Sequence, residues 1–169
     1  MSNKEIDRGL LAIGWSLMFM MIILFAGKAY SVENDRYCMA QNIYFESANQ
    51  SFAGQLAVGL VVINRVEDDQ FPSEVCDVIY QAKTFINWKG NEVPIRNQCQ
   101  FSWYCDGKSD EPVDSATWLK SLYVADLLLE IGVRDITEGS LYYHADYILP
   151  YWASELEQIV TIDNHLFYK

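Results

Sequence analysis

The segment Gly9–Gly27, GLLAIGWSLMFMMIILFAG, carries no charged residue. A helix that crosses a bilayer needs roughly 20 apolar residues, and this run is about that long. Lys4 and Arg8 precede it, with Glu5 and Asp7 diluting the positive flank. Three readings compete. An uncleaved signal anchor fits the length and the dominance of Leu, Ile, Met and Phe. A cleaved signal peptide fits the small residues around Gly27-Lys28-Ala29, although the run is long for a signal-peptide core. A buried core helix is the third. The anchor reading divides the chain into a cytoplasmic stub (1–8), a transmembrane anchor (9–27), a polar tether (28–36) and a folded domain (37–169). It predicts an inner-membrane protein with a periplasmic domain, the alternative being secretion after cleavage.

Cysteine usage points to the same compartment. All four cysteines, Cys38, Cys76, Cys99 and Cys105, follow the apolar run. An even count in an exported domain reads as two disulfides, and three pairings are open. The rival is a zinc site that would recruit His144 and His165. No CxxC spacing supports it, so no metal or other cofactor is expected. The chain is 51% hydrophobic, enough for the core of one domain. Its net charge is −11 and it has no Lys/Arg cluster. That excludes a nucleic-acid partner bound through phosphate contacts. It leaves open a neutral polymer held by stacking and hydrogen bonds.

Local patterns predict several elements. Asn34 or Asp35 can cap a helix reaching Ala48, with Met39 and Ile43 on its apolar stripe. The apolar run from Phe52 to Val66 suits a buried helix better than a strand, because of its length. Ser73 would cap a short helix ending near Gln81. Residues 82–113 read as a long functional loop. A helix capped by Asp114 follows, with Trp118, Leu122, Ala125 and Leu129 on one face and Gly132 as its stop. The end is extended: LYYH from Leu141, then QIVTI and HLFY as a hairpin around Asp163-Asn164.

Three places carry candidate chemistry. Glu46, near the end of the first helix, has Tyr44 and Phe45 beside it. A carboxyl group serves as a general acid at neutral pH only if apolar burial raises its pKa. The bland alternative is a surface Glu on an amphipathic helix. In Cys99-Gln100-Phe101-Ser102-Trp103-Tyr104-Cys105-Asp106-Gly107, cysteines bracket aromatic and amide groups. Gln100, Phe101, Ser102 and Trp103 are candidates to grip a sugar, aromatic faces on its ring and polar groups on its substituents. Tyr143 and His144, at the end of a strand, could form a cleft wall.

Together these segments resemble the cell-wall hydrolases of the SleB/CwlJ type, the spore-cortex-lytic group. The matching runs are CMAQNIYFESANQSFAGQLAVGLVVINRV from Cys38, FPSEVCDVIYQ from Phe71 and CQFSWYCDG from Cys99. LYYHADYILPYWA from Leu141 and IDNHLFYK from Ile162 continue in register. The resemblance implies an α+β fold, a mostly helical lysozyme-like domain with a small antiparallel sheet. It places the family's catalytic acid on Glu46 and makes peptidoglycan glycan strands the substrate. The family usually continues E-A-R-G-E, where this chain has Glu46-Ser47-Ala48-Asn49-Gln50. The Arg and the second Glu are absent. The four cysteines match a pattern common in the Gram-negative branch, where they look like disulfides.

Two mechanisms follow from the resemblance. A lytic transglycosylase needs one acid/base, Glu46, and leaves 1,6-anhydro-muramic ends. A two-carboxylate hydrolase needs a partner, for which Asp106 is the candidate inside a motif. Readings from other classes are a thiol amidase using Cys105 and His144, and a non-catalytic glycan-binding module. The anchor itself is directly testable. Protease added to spheroplasts should digest residues 30–169, and full protection of that domain would overturn the topology.

Overall fold

The computed structural model describes residues 33–169; the run Gly9–Gly27 and the start of the tether lie outside the described residues. Among the described residues, no helix is long and apolar enough to cross a membrane. Among the described residues, helix α1 covers 33–47. Residues 33–36, assigned to the tether, are helical, and Asn34 and Asp35, expected as caps, lie within the helix. Arg36 there pairs with Asp126, and a partner so distant in the chain leaves no local signal.

Helix α2, Phe52–Val66, is the centre of the domain. The Ser51 hydroxyl caps it by accepting from the Gly54 amide at 3.2 Å. Its β-branched residues favour strands in isolation, but burial overrides that preference. Leu60 and Val62 join a core built with Met39, Ile43, Val78, Val124 and Leu128. Ala57 and Val61 pack with Phe167 on another flank. Two buried flanks explain why the run is almost continuously apolar. At Gly59 a Cβ would overlap the Leu128 side chain, so glycine permits the close approach.

Helix α3, Val75–Ile79, is capped by Glu74 rather than by Ser73, and no side chain bonds the cap. Buried Val75, Val78 and Ile79 hold this short helix, together with the disulfide on Cys76. The expected loop 82–113 contains an antiparallel hairpin: β1, Ala82–Ile86, and β2, Glu92–Cys99. Most of its side chains are exposed, so no alternating pattern marked these strands. A 3-10 turn, Ser102–Cys105, follows.

Helix α4, Ser115–Asp126, has the expected Asp114 cap, whose carboxylate accepts from the Thr117 amide at 2.6 Å. It runs on through a π-helical turn, Leu127–Ile131, and stops at Gly132, where φ is 71°. Strands β3 (Tyr142–Ala145), β4 (Gln158–Ile162) and β5 (His165–Tyr168) form a second antiparallel sheet in the order β3-β5-β4. Asp163 in the β4–β5 turn accepts from the Ser51 amide at 2.9 Å, pinning the hairpin to the start of α2. The domain is thus a mixed helix-and-sheet fold with two small sheets where one was expected.

Cys38 is bonded to Cys76 and Cys99 to Cys105, so all four thiols are consumed. This removes both the thiol-nucleophile and the zinc readings. The bridges span 38 and 6 residues respectively. Loop-closure entropy then predicts about 4 kcal/mol for the first and about 2 kcal/mol for the second. Urea denaturation of the paired Cys→Ala variants should reproduce that order. Equal or reversed losses would mean that the bridges act other than by restricting the unfolded chain.

Candidate active site

Glu46 occupies the last turn of α1, where Ser47 turns its hydroxyl back onto the Ile43 carbonyl at 2.9 Å. The carboxyl group is partly buried and lines a cleft of about 500 Å3. Phe45, Ser102, Trp103, Asp106 and Tyr143 are among its other walls. The Tyr143 hydroxyl donates to Glu46 Oε2 at 3.1 Å. Burial raises the Glu46 pKa above the ordinary carboxylate value, while this bond and the charge of Arg65 pull it partly back. Burial, and then the charge of Glu46, push the Tyr143 phenol well above its usual value, so it remains a donor. A carboxyl group with a raised pKa, facing an open cleft, is suited to give a proton to a ligand lying there.

Arg65 is the site residue that the sequence reading missed. It sits in the last turn of α2, buried, with its Nε donating to the Leu141 carbonyl at 2.7 Å. The rings of Phe71, Phe101 and Tyr142 surround its guanidinium at 5.0, 5.4 and 5.6 Å. It therefore holds the entry to β3, two residues before Tyr143, and acts on Glu46 through its charge. The available signal was a lone cation in the apolar run LVVINRV.

The other candidates divide. Ser102 is exposed and lines the Glu46 cleft. Trp103 reaches the cleft but is only 7% exposed. It stacks on Phe45 at 5.0 Å and donates from its indole to Asn42 at 3.0 Å. Phe101 does not line the cleft: it is 3% exposed and packs on Arg65, because a buried cation needs aromatic cover. Gln100 is exposed and faces a different groove. His144 touches the cleft but is largely structural. Its Nε2 is 2.9 Å from the Tyr168 hydroxyl, and its ring stacks on Tyr168. His165, weighed in the sequence only as a metal partner, lines the cleft, and burial lowers its pKa.

Asp106 lies in the same cleft as Glu46. Lys108 holds its pKa below the ordinary value, through an amide bond at 2.8 Å and an ammonium at 3.1 Å. The two carboxyl groups are therefore shifted in opposite directions, one up by burial and one down by hydrogen bonds. Asp110, also in the cleft, is shifted up by burial and then by Asp106 and Glu111.

Fold and cleft define a mixed helix-and-sheet domain with a partly buried acid on the wall of its cleft. The family model described as Cell Wall Hydrolase matches residues 49–168. The chain belongs to that family, and its fold resembles the SleB catalytic domain. The catalytic domain of the Bacillus cereus SleB protein superposes with a TM-score of 0.57 at 28% identity, over 81% of this chain and 91% of that one. The catalytic domain of the germination-specific lytic transglycosylase SleB from Bacillus anthracis gives 0.59 at 29% identity, over 80% and 94%. A spore cortex-lytic enzyme of Oceanobacillus iheyensis is 28% identical over 138 residues, 81% of this chain and 42% of that protein. One from Bacillus cereus is 40% identical over 53 residues, 31% of this chain and 20% of that protein. The chain thus spans less than half the length of these full-length relatives.

The raised pKa of Glu46 has a consequence for stability. The folded protein binds this proton more tightly than the unfolded chain does. The resulting stabilisation is complete below the unfolded carboxylate pKa and is lost as pH rises through the raised value. Gln at this position cannot ionise. Glu46→Gln should therefore melt higher than the parent at neutral and alkaline pH, with the gain vanishing below about pH 4. Thermal melts across that range check it. A gain that does not change with pH would show that the carboxyl group is not desolvated.

Proposed function

We propose that this chain is a lysozyme-like lytic transglycosylase that cleaves the glycan strands of peptidoglycan. The observation that carries the reading is Glu46: a carboxyl group with a raised pKa, bonded to Tyr143, on the wall of an open cleft. The family membership and the lytic transglycosylase named among the similar structures support the substrate class.

Glu46 gives its proton to the glycosidic oxygen as the C1–O bond breaks. Its carboxylate is then stabilised by the Tyr143 hydroxyl and the Arg65 charge. It next removes the proton from the muramic C6 hydroxyl as that oxygen closes onto C1. The product is a 1,6-anhydro ring, and Glu46 ends the cycle protonated. Arg65 and Tyr143 thus oppose the desolvation that makes Glu46 an acid, and keep the second step within reach.

Asp106 favours a second reading. Held ionised in the same cleft, it has the state that a nucleophile or a general base requires in a two-carboxylate hydrolase. Mass spectrometry of the released muropeptides separates the two. Anhydro-muramic ends mean transglycosylase, and reducing muramic ends mean hydrolysis. The reading also includes the inner-membrane anchor at Gly9–Gly27, which would keep the enzyme beside the wall it cuts.

Glu46→Gln should remove turnover of purified sacculi by at least about 10²–10⁴-fold while the domain stays folded, since general acid/base catalysis alone is worth that much. Asp106→Asn should cost far less. If Asp106→Asn is as inactive as Glu46→Gln, the two-carboxylate route replaces the single-acid one. Near-parental activity of Glu46→Gln would end the proposal.

A further inference from the structure

Beyond Tyr143 lies a second groove of about 650 Å3. Several of its walls come from the same stretches of chain as those of the Glu46 cleft. In the cleft, Ser102, Trp103 and Asp106 accompany Tyr143, His144 and Ala145. In the second groove, Asn97, Cys99 and Gln100 accompany Tyr142 and Tyr143. The same two pieces of chain, the run 97–106 and strand β3, therefore border both, and Tyr143 belongs to each. Among the described residues, strand β3 is the edge of its sheet and pairs with β5, with no further strand on its other side. The loop after β3 also borders both spaces. Tyr147 and Ile148 stand at the cleft, and Tyr151 and Trp152 at the second groove. This loop leaves Tyr147 78% and Tyr151 86% exposed.

The chemistry of the second groove is specific. Tyr151 and Trp152 offer aromatic faces, Asn97 and Gln100 offer amides, and Glu155 offers a carboxylate. Arg65 is the cation of this lining, and three rings already cover it. Aromatic faces suit the apolar face of a pyranose. Amides suit an acetamido group, and a carboxylate suits hydroxyls. The acidic domain and the covered cation disfavour an anion.

We propose that the second groove is a saccharide-binding site continuous with the Glu46 cleft. It takes uncharged N-acetylhexosamine residues of the same strand, on one side of the bond that is cut. This rests on the glycan-cleaving reading of the cleft. It assigns Gln100 to holding the strand away from the reacting bond, and it makes the enzyme select strands long enough to fill both spaces.

The test uses the full chain carrying Glu46→Gln, so that binding is measured without turnover. The probes are the hexasaccharide and the disaccharide of β-1,4-linked N-acetylglucosamine, titrated by calorimetry. Gln100 and Tyr151 are exposed and lie outside the Glu46 cleft, so Gln100→Ala with Tyr151→Ala should fold. The double change should weaken the hexasaccharide by about tenfold or more, the loss expected of an aromatic anchor and an amide contact. Disaccharide affinity should not change. In the chain with Glu46 intact, the same double change should raise KM on sacculi and spare kcat. Equal hexasaccharide affinity with and without the double change overturns the proposal, as does a parent that binds neither oligosaccharide. Those results leave the Glu46 reading standing, because that reading fails separately, through turnover by Glu46→Gln itself.

Discussion

The guanidinium of Arg65 sits where four parts of the chain meet. It leaves the last turn of α2, lies against Phe71 from the segment after α2 and Phe101 from the loop before the 3-10 turn, and bonds the carbonyl that leads into β3. Burying a cation is costly unless it is paired and hydrogen-bonded. Here three aromatic faces and a backbone carbonyl provide that compensation. Removing any one of these leaves the others around a poorly matched charge, so the arrangement holds as a set. It also fixes where β3 begins, and hence where Tyr143 meets Glu46.

Glu46 shows the opposite balance. Its surroundings are less favourable to its charge than water is, and the rest of the domain must offset that. The apolar flanks of α2, the aromatic stack of Phe45 on Trp103 and the bridge from Cys38 to Cys76 supply rigidity close to it in the chain. A desolvated acid stays useful only if the cleft around it does not collapse or flood. Trp103, held by the Asn42 amide oxygen, braces one wall. Tyr143, tilted onto Phe167 of the sheet, braces the other.

The bridge between Cys99 and Cys105 spans the turn that separates the two groove walls. On one side of that turn the chain presents Asn97 and Gln100, on the other Ser102 and Asp106. A short oxidised loop can thus serve two neighbouring spaces with side chains of one small segment. Phe101, between them in sequence, points into the core and anchors the loop on Arg65.

Much of this was legible in the amino-acid order. Helix α2, the Asp114 cap, the Gly132 stop and the Asp163-Asn164 hairpin all follow from apolar run length, capping chemistry and turn residues, which act within a few positions along the chain. The family could be read for the same reason, since its motifs are local and in register. The hairpin in 82–113 was not legible, because exposed strands carry no alternation. Nor was the pairing of Arg36, assigned to the tether, with Asp126 far along the chain. The roles of Phe101 and Arg65 depend on each other across the fold, and neither residue announces them. The raised pKa of Glu46 likewise belongs to the tertiary structure. Local sequence can place a carboxyl group at a helix end, but only packing decides how much water it loses and which charge and hydroxyl come to stand beside it.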